Sequence, residues 1–158
     1  QKLALLHPPG ELSFEQVEAA VLNVARYDAF KLAEAVLGGQ LPRVQRMLDG
    51  LQAEGEAPVL VHWALADDVR TLYRVRAALD TGKPLPVALR ESRVWGAKEK
   101  LMERVLPNLG AGTLSRWLQD AHTVDGIVKG LKAEGWPTDP WQALQQFAMR
   151  VAQGCAAR

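Results

Sequence analysis

Residues 51–80 read LQAEGEAPVLVHWALADDVRTLYRVRAALD, and this stretch decides the fold. Gly55 closes one helix, and Pro58 sits where a first helical turn tolerates proline, because that turn's N–H groups have no intrahelical partner. About twenty residues then follow without glycine or proline, ending near Leu79. Apolar positions recur at three- and four-residue steps, the helical period, and nowhere alternate strictly as in a half-buried strand. The spacing predicts one long helix with Val59, Trp63, Ala66, Val69 and Tyr73 facing inward. Gly82-Lys83-Pro84 ends it.

Working outward, the same punctuation recurs. Residues 1–12 read as a tail interrupted by Pro8-Pro9-Gly10. Ser13 with Gln16 three residues on is a capping-box pattern for a helix lined by Phe14, Val17, Val21 and Val24. Asp28 is expected to cap a second helix, Ala29 to Leu37, stopped by Gly38-Gly39. Pro42 opens a third with Val44, Met47, Leu48 and Leu51 as its stripe. After the long helix, Pro86 starts one turn through Leu89, and another helix spans about Arg93 to Leu106. Thr113 is expected to cap the next, with Leu114, Trp117, Leu118 and Ala121, extending towards Leu131. Asp139-Pro140 begins the last, which runs to about Gln153 with Trp141, Leu144, Ala148 and Val151 facing in. The expectation is an all-α bundle of about seven to eight helices joined by short loops.

Composition agrees. Leu and Ala number 23 each against one Ile and five Thr, so helix formers dominate. A length of 158 residues gives one domain, or slightly more, with enough chain for a real core. Nineteen basic residues against eighteen acidic leave a net charge of +1, which argues against a dedicated nucleic-acid binder. The single cysteine, Cys155, excludes a disulfide framework and a multi-cysteine metal site. No signal peptide or membrane-length apolar run is visible. The first residue is Gln, not Met, which is read as a fragment or a processed chain.

The residues offer little catalytic chemistry. His7, His62 and His122 are far apart and lack ligands at helical spacing, so no metal is expected. Cys155 has no nucleophile motif around it and reads as an inert thiol. Gly82-Lys83 resembles a phosphate loop, but Ala77 and Pro84 stand where that loop needs Gly and Ser or Thr. Asp67 and Asp68 point about 100° apart on a helix and read as a solvated face with Arg70 and Arg74. The segment Arg90–Arg104 interleaves Arg90, Arg93, Lys98, Lys100 and Arg104 with Glu91, Glu99 and Glu103 around Trp95. Basic residues beside an aromatic suit nucleic acid. The glutamates favour a salt-bridged surface or a protein interface. An outward Trp95 would be an interface anchor.

The order of motifs resembles the delta subunits of bacterial DNA polymerase III, a clamp-loader family. The residues are Lys2-Leu3-Ala4-Leu5-Leu6, Glu11-Leu12-Ser13, Val17-Glu18, Phe30 to Gly38, and Arg46-Met47-Leu48. Leu51 to Leu60 follow, with Leu89 through Arg93-Val94-Trp95, and Asp125 with Lys129-Gly130. The resemblance implies the end of a helical AAA+ lid over 1–27 and a C-terminal helical collar over 28–158. It implies assembly with gamma/tau and delta-prime, so that the complex loads the sliding clamp in DNA replication. Clamp contact would belong to an N-terminal domain outside this sequence, and DNA would be met indirectly. It implies no cofactor, no catalytic activity of its own within the polymerase holoenzyme, no membrane contact, and a bacterial cytoplasmic, replisome-associated setting. Ser92-Arg93-Val94 lacks the cysteine of the arginine-finger motif of partner ATPases. Trp95, Arg93, Lys98, Arg70 and Arg74 are the interface candidates. The alternative is a helical nucleic-acid-binding domain that uses the basic 90–104 segment.

Overall fold

The structure, a computed structural model, describes residues 14–156, without the side chains of 18–26. The tail and the Ser13 half of the capping box lie outside the described residues. Those residues form α1 (Phe14–Leu37), α2 (Leu41–Ala53), α3 (Pro58–Asp80), α4 (Leu85–Glu91), α5 (Ala97–Val105), a 3-10 turn (Leu106–Asn108), α6 (Ala111–Val128) and α7 (Pro140–Ala156). The all-α expectation holds.

Helix α3 runs through the middle. It packs against α1, α4, α6 and α7, while α7 also lies against α1, α2 and α6. Leu32 and Leu37 from α1 meet Leu65 and Leu72 from α3, Leu114 from α6, and Leu144 and Phe147 from α7, all buried in one cluster. The proline signals and the Asp139 cap behave as the sequence predicts. Pro42, Pro58 and Pro86 lie in first turns. The Asp139 carboxylate accepts the Gln142 N–H at 3.0 Å at the start of α7. Gly39 ends α1 at φ 67°, with Gln40 N–H bonded to Ala35 O at 3.1 Å. This left-handed turn suits glycine. It also brings the backbone so close to α7 that a Cβ at Gly39 would sit 2.7 Å from Ala156 Cα.

Several expectations need correction. The helix lined by Phe14 and Val17 and the one from Ala29 are a single α1, because nothing in 14–37 breaks a helix and Asp28 lies inside it. Phe14 and Val17 are exposed rather than core-lining. On α3 the inward stripe is Val61, Leu65, Val69, Leu72 and Val75, while Val59, Trp63 and Tyr73 are exposed. Both stripes are apolar at helical spacing, and tertiary contacts with α6 and α7 select the first.

Helix α5 starts at Ala97 rather than Arg93. Arg93 adopts φ 61° and Gly96 φ 71°, so the backbone between α4 and α5 is a turn. Arg93 N–H bonds Arg90 O at 3.0 Å and Val94 N–H bonds Leu89 O at 2.9 Å, a helix ending that normally carries glycine where Arg93 stands. Finally, α6 begins at Ala111 with Gly110 before it and ends at Val128. The Thr113 hydroxyl accepts from Arg116 Nη2 instead of capping, at 3.2 Å.

Candidate functional site

Four of the five candidate residues converge. Arg74, Arg93, Trp95 and Lys98 line one open groove of about 430 Å³, with Phe30 and Glu34 of α1 and Asp67 and Asp68 of α3 on the other walls. The α4–α5 turn carries Arg93 and Trp95 to the rim. Val94, between them, is buried and anchors the turn. Trp95 is 71% exposed, the most exposed tryptophan among the described residues. Arg93 is exposed and makes no side-chain hydrogen bond or ion pair among the described residues. Arg74 donates to the Thr71 hydroxyl at 3.2 Å, and that hydroxyl donates to Asp67 O at 2.9 Å.

Lys98 is not a free surface cation. Its Nζ lies 2.8 Å from Asp68 Oδ1 and 4.7 Å from the Phe30 ring centroid. Asp68 is only 6% exposed, so the solvated-face expectation fails for it and holds better for half-buried Asp67. The two carboxylates diverge, as adjacent helical residues must. Asp68 Oδ2 has no partner among the described residues, and burial raises the Asp68 pKa against the opposing pull of Lys98. The pair ties α5 to α3, and so holds the Trp95 turn against the bundle.

Arg70 lies apart from the other four. It lines a second groove of about 420 Å³ between α3 and α6, with Trp63, His62, Leu118, His122, Asp125 and Lys129 on its walls. Trp63 is 50% exposed there. Sequence reasoning assigned Trp63 to the core and left His62 unplaced. The signal available was the second apolar stripe, since 59, 63, 66, 70 and 73 fall on one side of a helix.

The remaining expectations resolve simply. Cys155 is buried and its thiol pKa is pushed up to about 12 by burial, so an inert thiol describes it. Trp117 is buried and Trp141 half-buried. No cluster of three or more metal-ligating side chains occurs among the described residues, and no described helix is long and apolar enough to cross a membrane.

No family model matches the chain. Among curated proteins, the DNA polymerase III subunit delta of Escherichia coli (strain K12) is 29% identical over 119 residues, covering 75% of this chain and 34% of that protein. The DNA polymerase III subunit delta of Haemophilus influenzae (strain ATCC 51907 / DSM 11121 / KW20 / Rd) is 23% identical over 159 residues, covering 96% of this chain and 45% of that protein. The chain thus spans about a third to a half of the length of these curated relatives. Likeness in sequence across most of its residues, joined to the all-helical fold, makes the chain similar to DNA polymerase III delta subunits and supports its assignment to that family.

Proposed function

We propose that this chain is the collar-type assembly domain of a clamp-loader delta subunit, with residues 28–158 as the collar and 1–27 as the end of a helical lid. It assembles with gamma/tau and delta-prime in the bacterial cytoplasm, as a non-catalytic part of the polymerase holoenzyme. In that arrangement a further domain meets the sliding clamp. The observation that carries the reading is Trp95, 71% exposed at the rim of the groove where Arg74, Arg93 and Lys98 meet. A large aromatic held outward on an anchored turn, beside charges of both signs, is the anatomy of an interface anchor. The near-neutral total charge supports contact with protein rather than a dedicated hold on DNA.

Co-elution of the chain with purified gamma/tau and delta-prime tests the proposal. Association at micromolar concentration is expected, weakened about tenfold or more by Trp95→Ala, the size of a hot-spot loss. Failure to associate at tens of micromolar, or full retention by the variant, overturns the assignment of this face.

The exposed Trp95 beside Arg93, unpaired among the described residues, also favours a second reading, in which segment 90–104 stacks on and tracks DNA. Fluorescence anisotropy with primer–template DNA separates the two. DNA binding through this turn falls steeply with salt and is lost in Trp95→Ala. A flat titration at low salt removes it.

A further inference from the structure

The α3–α6 groove carries two unmet needs at once. At its mouth, Arg70 is exposed and has no ion-pair or hydrogen-bond partner among the described residues. At its floor, His62 is 2% exposed and its Nδ1 has no hydrogen-bond partner among the described residues. The Nε2 of His62 lies 2.9 Å from the carbonyl oxygen of Ala121 on α6, and a carbonyl only accepts, so Nε2 carries the proton. Burial among apolar neighbours, with the Phe147 ring tilted against it at 5.5 Å, favours the neutral ring. The Nδ1 is therefore a lone-pair acceptor. A buried acceptor without a donor is costly in a native core and marks a place where a donor arrives.

The charges that face the groove are Arg70 from α3, with Asp125 from α6 and Lys129 just past its end. Lys129 Nζ pairs with Asp125 Oδ2 at 3.0 Å, and Arg70 makes no ion pair among the described residues. Trp63, Val59 and Leu118 give the groove apolar walls. A short peptide in extended form brings the three matching parts together. It has backbone N–H donors, an apolar side chain, and, if acidic, a carboxylate that guanidinium binds in a fork.

We propose that the α3–α6 groove docks a short acidic segment of a partner protein. The segment's carboxylate sits on Arg70, its apolar side chain against Trp63, and a donor N–H on His62 Nδ1, directly or through one water. The site lies beside α6, away from the groove that carries Trp95, Arg93 and Lys98. The inference therefore stands or falls separately from the assembly reading of that face.

The test uses the chain as it stands and a defined probe, the capped peptide acetyl-Leu-Glu-Leu-Asp-Glu-amide. Its comparison is the peptide with Gln and Asn replacing Glu and Asp. The readouts are the Trp63 indole N–H resonance, assigned with Trp63→Phe, and the Nδ1 nitrogen resonance of His62. A new hydrogen bond moves the second, and loose surface association does not. Saturable shifts of both are expected with the acidic peptide. Binding should weaken about tenfold or more with the amide peptide and with Arg70→Gln, the scale of losing one charged hydrogen bond. Absence of saturable shifts at millimolar peptide overturns the proposal. So does equal binding of the amide peptide, or equal binding by Arg70→Gln. Tighter occupation of the same resonances by oligothymidylate than by the acidic peptide also overturns it, and makes the groove a nucleic-acid site.

Discussion

Replacing Gly154 by alanine probes how tightly α7 is seated. A Cβ at Gly154 would lie 2.3 Å from Trp117 Cζ2 and 2.9 Å from Cη2, where ordinary contact begins at 3.4 Å. The indole therefore has to retreat by about 1 Å, the difference between 3.4 and 2.3 Å. Trp117 is 6% exposed and belongs to the core cluster, so the retreat disturbs packed neighbours. Overpacking of this kind costs about 1–3 kcal/mol. Alanine recovers about 1 kcal/mol of helix propensity over glycine. The net expectation is a loss of about 1 kcal/mol, read from urea unfolding followed by circular dichroism. At this chain length the midpoint temperature falls by about 2–4 °C per kcal/mol. Trp117→Phe removes the benzo atoms that meet residue 154. In that background Gly154→Ala should stabilise by about 1 kcal/mol, which makes the coupling energy of the cycle about 2 kcal/mol. If Gly154→Ala stabilises the wild-type chain by the full helix increment, the indole is not held against Gly154 and the packing argument fails.

Three further outcomes follow from the same geometry. His62 has its pKa lowered from 6.5 chiefly by burial, against the opposing hydrogen bond to Ala121. The unfolded chain therefore takes up a proton that the folded chain refuses. The His62 contribution is complete above pH 6.5 and is lost as pH falls below it. His62→Gln, whose amide can still donate to Ala121 O, should flatten the wild-type decline in urea midpoint between pH 7.5 and 5.5; an unchanged decline would place its origin elsewhere. Arg93→Gly relieves a left-handed non-glycine residue and should stabilise by about 1 kcal/mol in the same assay, while weakening whatever the Trp95 face binds. Stabilisation without loss of binding would show that Arg93 serves no contact there. The Cys155 thiol, buried and pushed up to about 12, should stay unreactive to a disulfide reagent at pH 8 until the chain unfolds. Prompt reaction in the folded state would contradict its burial.

Prolines in the sequence mark helix starts well, and helix faces are marked less well. Pro42, Pro58, Pro86 and the Asp139-Pro140 pair act through their own backbone, so their effects are local and readable. The phase of α3 is different. Two apolar stripes run along it, and the choice between them is made by α6 and α7, which arrive later in the chain. Asp67 and Asp68 show the same limit at the candidate site. As neighbours they look equivalent, and only Lys98, 30 residues on, decides which carboxylate is buried and paired. His62 finds its acceptor on Ala121, 59 residues away. The sequence singles out Trp95 through its place among the interleaved charges of 90–104. Its convergence with Arg74 and Lys98 is not legible there, because it depends on the turn at Arg93 and Gly96 that replaces the expected start of a helix. Nor does spacing reveal that Arg70 belongs to a different groove from Arg74, one helical turn away.

The seat of α7 has a consequence for how the molecule comes into being. Gln145 on α7 bonds Gln45 on α2 at 2.6 Å across a sequence separation of 100, and the turn at Gly39 rests on Ala156. The early helices can each form within about a microsecond, but they have no finished apolar partner until α7 is made. As ribosomes add about 5–20 residues per second, Leu32, Leu37 and Leu65 wait several seconds for Leu144 and Phe147. Over that interval the nascent chain presents an unsealed apolar trough, the kind of transiently exposed surface that favours aggregation. Closing so long a loop carries an entropic cost that no single helix carries.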